Sequence, residues 1–92
     1  VQLYSTLVAA ALEEDRPVAR AFVTTRFARR REGLAARGRE SQAAGRMRDD
    51  VDPDEVAALV IAASDGLQSQ WLLDPGLDHA RILALLDRLL SP

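Results

Sequence analysis

The sequence predicts an all-α fold of four helices. Apolar residues recur at i, i+3 and i+4 in four separate segments. Asp, Pro or Gly stands where most of these helices would start or stop, and the links between them are short. The final two segments carry more apolar perimeter than the chain can cover, which predicts that they pair with their copies in a dimeric four-helix bundle.

The first segment runs from Val1 to about Leu12. Leu3, Leu7 and Ala11 lie beside Tyr4, Val8 and Leu12 at helical spacing, and Glu13, Glu14 and Asp15 end the pattern. It opens in the middle of that pattern with no initiating methionine and no cap, so the chain is expected to be a piece of something longer. Tyr4 reads either as a core residue with its hydroxyl at the rim or as part of a cavity wall.

The second segment extends from about Arg16 to Ala44. Pro17 suits a first helical turn and Gly45 a C-terminal cap. A continuous helix here would be about 40 Å long at a rise of 1.5 Å per residue, although Gly33 and Gly38 predict a bend or an early end. Val23, Phe27 and Leu34 share one face, whereas Val18, Phe22 and Thr25 share another. A helix with two apolar strips can stand as a wall between a cavity and a core.

The third segment, Asp52–Leu73, is the one around which the others are organised. Asp52 can cap its first turn, Pro53 fits the first helical position, and Glu55 sits where a capping-box carboxylate reaches back. Asp74-Pro75-Gly76 stops it. Val56, Leu59, Val60, Ala63 and Leu67 fall on one face with Trp71 at its edge. Ala58, Ala62 and Gly66, continued by Ser69 and Leu73, fall on a second, and Ile61, Gln68 and Leu72 on a third. A helix apolar most of the way round belongs inside an assembly. The small-residue strip would let another helix backbone come close, and glycine costs about 1 kcal/mol relative to alanine in a helix interior, so it calls for a packing reason. A second copy of the chain is the expected neighbour, an ordinary buried helix the plainer alternative.

The last segment starts at Asp78, a good cap, and runs to about Leu90. Ile82, Leu83, Leu85, Leu86, Leu89 and Leu90 form an apolar arc well over 100° wide. Left uncovered, such an arc is a large apolar patch of the kind that marks an interaction surface.

Composition narrows the function. Ninety-two residues make one domain that buries roughly 60–65% of its unfolded surface. There is no cysteine, hence no disulfide framework or thiolate metal site, and a reducing, cytoplasmic setting is the natural reading. No uninterrupted run reaches the ~18 apolar residues of a membrane span, and no signal-peptide pattern is present. All twelve basic residues are arginine. From Arg16 to Arg48 ten arginines face only Glu32 and Glu40, a local balance of +8, whereas from Asp49 onward nine acids face Arg81 and Arg88, a balance of −7. A basic block raises the question of nucleic acid, yet these arginines form no single stripe and do not alternate with exposed aromatics. They read as a solvated surface pairing locally with acids, or, for one or two of them, as the lining of a pocket for an anion. His79, the only histidine, sits in the first turn of the last helix and reads as packing or capping. No base stands ready beside a serine or threonine, and there is no phosphate loop or metal-ligand spacing. An enzyme is not expected, and no cofactor is implied.

The run Gly45–Ala57, GRMRDDVDPDEVA, followed by Asp65–Pro75, DGLQSQWLLDP, resembles the C-terminal region of TetR-type transcriptional regulators. The resemblance extends more loosely to Leu3-Tyr4, the helix start from Pro17 to Phe22 and the leucine-rich end. It implies an all-helical homodimer, four segments that are the last four helices of such a regulator, and an effector-sensing and dimerising domain over residues 1–92. The family's N-terminal helix-turn-helix, which binds operator DNA, has no counterpart here, so this fragment is expected to bind no nucleic acid, and no membrane. By that resemblance Tyr4, Phe22, Arg26, Phe27 and Trp71 are candidate residues for an unknown small-molecule effector, each also compatible with core packing. Ala58, Ala62, Gly66, Ser69, Leu73, Ile82, Leu85, Leu86 and Leu89 are candidates for the dimer interface. A stand-alone helical dimerisation module without a ligand is the alternative.

Overall fold

A computed structural model of the chain describes Val8, Ala9, Leu12, Glu13 and residues 17–92. Among these are three α-helices: α1 (Pro17–Ala43), α2 (Pro53–Leu73) and α3 (His79–Leu90). Most of the expected first segment, including Tyr4, lies outside the described residues. Of the rest, Val8 and Ala9 are helical and the Leu12 N–H donates to both of their carbonyls at 3.2 Å. The contacts divide the chain into two compact units, Val1–Arg30 and Arg31–Pro92.

The helix ends follow local chemistry. The C-terminus of α1 is a Schellman turn: Gly45 takes a left-handed φ of 72°, its N–H donates to Gln42 O at 3.1 Å, and the Arg46 N–H donates to Ser41 O at 2.8 Å. At the start of α2, Asp52 is extended and its carboxylate accepts the Asp54 N–H at 2.9 Å, with Pro53 in the first turn. The expected return bond from Glu55 is not formed. Asp52 engages the second helical N–H rather than the third, so the reciprocal box does not close. Asp78 caps α3 by accepting the Arg81 N–H at 3.1 Å.

The early end expected at Gly33 or Gly38 does not occur: α1 is continuous over 27 residues. Gly38 has a positional reason to be glycine. A Cβ there would lie 3.3 Å from Pro53 Cβ and 3.5 Å from Met47 Cε, so the start of α2 and the link both press on this position. Beside it, Arg39 Nη2 grips both oxygens of Asp54 at 3.0 and 3.1 Å. The link itself is held by Gln42, whose amide donates to Val51 O at 2.9 Å and Arg48 O at 3.2 Å. The Arg48 N–H in turn reaches Leu90 O at 2.8 Å, tying the link to the last turn of α3.

The second unit packs α2 against α3 around a lean core of Ala35, Ala57, Ile61 and Leu67. This settles which of the three sequence faces of α2 turns inward, drawing on two of them. Ile61 rather than Leu59 points inward: Ile61 is buried and Leu59 is 57% exposed. In the first unit Val23 is buried, as its place on the Val23–Phe27–Leu34 strip predicts, whereas Val18 and Phe22 on the other strip are exposed.

Candidate functional site

The first candidate site lies in the unit ending at Arg30. Ala21, Phe22, Thr25, Arg26, Arg29 and Arg30 line an open groove of about 510 Å³ along α1. Their spacings are three and four residues, which places all six on one side of the helix. Two of the five residues proposed as effector contacts, Phe22 and Arg26, thus line the same groove. Phe27 is turned off it and half-buried, and the Arg30 guanidinium stands 5.9 Å from its ring centroid, within cation–π range.

Trp71 belongs to the other unit. Its ring meets that of His79 across the α2–α3 corner, with centroids 6.1 Å apart and planes tilted by 56°. The histidine is therefore a packing partner at the first position of α3, as its sequence position suggested. Thr25, Arg29 and Arg30 went unnamed as effector contacts, although their distance in residues from Phe22 and Arg26 was the available signal.

The second candidate site is an uncovered apolar surface on the second unit. Ala58, Ala62, Gly66, Ser69 and Leu73 are all exposed, Leu73 by 89%, and Leu59 joins them. Nothing stands within 4 Å of a Cβ built on Gly66. The Ser69 hydroxyl donates back to Asp65 O at 3.2 Å, which satisfies its polar group within the helix and leaves the strip smooth. On α3 the leucine arc divides in two. Leu83, Leu86 and Leu90 are half-buried, whereas Ile82, Leu85 and Leu89 stay open to solvent. Leu86, expected with the outward set, turns partly inward.

Two arginines pair locally as the solvated-surface reading predicted. One pair is Arg39–Asp54, already described. In the other, Arg48 Nε and Nη2 donate to the two oxygens of Asp50 at 2.6 and 2.7 Å. That hydrogen bond holds the Asp50 carboxyl below the usual carboxylate range and raises the Arg48 guanidinium. Among the described residues no group of three His, Cys, Asp or Glu converges on a metal-sized site. By length and composition α2 also meets the minimum for a membrane-crossing helix, with a mean hydropathy of 1.2 in its 18-residue window. No uninterrupted apolar run of that length occurs in it, and a packed helix of a soluble protein passes the same test.

All-helical architecture, a basic groove on one helix and open apolar faces on two others suit a regulatory domain, and the family comparison defines the class as the C-terminal domain of a transcriptional regulator. Residues 2–91 match the family model described as "BetI-type transcriptional repressor, C-terminal". The chain belongs to that family, a branch of the TetR-type regulators that the Gly45–Pro75 wording resembles. No curated protein and no solved structure gives a significant match.

Proposed function

We propose that this chain is the effector-sensing and homodimerising part of a transcriptional regulator whose operator-reading domain lies outside these 92 residues. The observation that carries the dimerisation half is the open face of α2. Ala58, Ala62 and Gly66 make a strip with no projecting side chain, flanked by exposed Leu59 and Leu73, in a helix whose opposite side already fills the chain's own core. Exposing such a surface in water is unfavourable by about 25 cal/mol per Å² of apolar area, so a second copy covering it is stabilising. The open strip of Ile82, Leu85 and Leu89 on α3 extends the same interface, and the two helices with their copies make a four-helix bundle.

The sensing half rests on the groove along α1. An effector there would favour one arrangement of the helices by its differential affinity for it, and so change the spacing of the DNA-reading heads of the whole dimer. Such a regulator works in the cytoplasm, binds operator DNA through its N-terminal domain and has no catalytic step.

Light scattering tests the assembly. The wild-type chain is expected at twice its 10.1 kDa mass, and Gly66→Leu should shift it toward monomer because the new side chain holds the helices apart. An unchanged Gly66→Leu dimer contradicts the interface.

A further inference from the structure

We infer that a second copy seats the open strip of its α2 along a groove on α3, with its Glu55 carboxylate against the Arg81 guanidinium at the start of that groove. This rests on the homodimer reading above and names which surfaces meet and in what register. The groove, of about 390 Å³, is lined by Arg81, Ile82, Ala84, Leu85 and Arg88. Its floor is apolar, with Ile82 and Leu85 open to solvent and the small Ala84 lying between the two arginines along the helix. Both arginines are exposed, and among the described residues neither guanidinium has an acidic partner.

The open strip of α2 carries the complementary charge. Glu55 stands on its line, three residues before Ala58 and seven before Ala62, and is exposed. Its carboxylate does not return to the Asp52 N–H and has no basic partner among the described residues. Beyond it the strip is Ala58, Ala62, Gly66 and Ser69, so nothing on it repels an arginine. A flat strip lets the Ile82–Leu85 ridge come close, and the charge at its end then fixes the register through a charge-assisted hydrogen bond.

The course of α2 and α3 decides between the two arginines. The Arg48 N–H bond to Leu90 O puts the end of α3 beside the link that enters α2, and the Trp71–His79 ring contact holds the end of α2 beside the start of α3. The two helices therefore run antiparallel. A two-fold axis across them brings the start of one α2 to the end of the other, and hence Glu55 to Arg81. An axis along the helices would instead bring the two Glu55 carboxylates together, a like-charge contact that opposes association. Each dimer then holds two equivalent Glu55–Arg81 pairs.

Sedimentation equilibrium of the 92-residue chain at low salt tests this by exchanging the charges. Glu55→Arg should weaken the dimer by about tenfold or more, because both pairs become repulsive, and Arg81→Glu alone should do the same. Arg81→Glu places an acid in the first turn of α3, where the helix dipole favours it, and circular dichroism checks that each variant keeps its helix content. The double variant Glu55→Arg/Arg81→Glu should return to within about threefold of the wild-type affinity. The losses in the single variants should shrink with added salt. Glu55→Arg combined with Arg88→Glu, at the far end of the same groove, should restore nothing. Rescue by Arg88→Glu in place of Arg81→Glu, no rescue by either, or a dimer indifferent to both single reversals overturns the register and leaves homodimerisation standing. A wild-type chain that stays monomeric throughout overturns both.

Discussion

The two sides of α2 are made of similar residues and meet opposite surroundings. Ala57, Ile61 and Leu67 are buried by the chain's own helices, whereas Ala58, Ala62, Gly66 and Leu73, on a strip centred nearly half a turn away, are open. Apolar content alone does not separate them. What differs is size along the strip: the inward side has Ile and Leu to fill space, and the outward side is Ala, Ala, Gly and Ser through its central two turns. A bulky side interdigitates with flexible neighbours, whereas a flat one admits another helix backbone. The inward side therefore maintains the fold of one copy, and the outward side is the one the proposed dimer would use.

If that division holds, the largest effect should come from the inward side. Ile61→Ala removes a buried branched side chain from a core of few members and should cost about 2–5 kcal/mol, read from urea unfolding. Equal loss from Leu59→Ala, on the exposed side, would erase the distinction. Next, Asp52→Ala deletes the carboxylate that accepts the Asp54 N–H and should lower stability by about 1 kcal/mol, seen as a shift in the urea midpoint without a change in slope.

Glycine substitutions sharpen the comparison further. Gly33→Ala meets nothing within 4 Å and should raise thermal stability by up to about 1 kcal/mol through helix propensity. Gly38→Ala should recover little or none of that gain, because its methyl presses on Pro53. The smallest effect belongs to Arg39→Gln. Its ion pair with Asp54 is bidentate but exposed on both sides, so the loss should stay below about 1 kcal/mol and shrink with added salt. Asp50→Asn supplies a pH version. The depressed Asp50 carboxyl stabilises the fold above its ordinary range and loses that contribution as pH falls through the lowered value, so the variant's acid unfolding profile should be flatter there.

The parts of this molecule readable from its sequence are those governed by local chemistry. Asp52, Asp78 and Gly45 cap their helices because each acts on backbone groups within a few residues of itself. The inward face of α2 was not readable, since a helix apolar most of the way round offers a wheel with no unique inside, and only the packing of the other helices decides between Leu59 and Ile61. The continuity of α1 was hidden for a related reason. Gly38 looked like a weak point, and its role as a contact with Pro53 depends on a residue fifteen positions away. Phe22 and Arg26 were legible as residue types suited to a ligand, and the helical spacing of Arg29 and Arg30 from them was the signal that places these two in the same groove. Trp71 was grouped with them as an aromatic on a helix expected to surround a cavity, and within its own unit its ring meets that of His79.

Mixing labelled and unlabelled copies of the chain for isotope-filtered NMR reads the outward face of α2 directly. Intermolecular cross-peaks from the Ala58 and Ala62 methyls to the α2 or α3 side chains of the other copy are expected, together with protection of those methyls from a soluble paramagnetic probe. Cross-peaks confined to other surfaces, or Ala58 and Ala62 methyls fully open to the probe at concentrations where the chain sediments as a dimer, would contradict it.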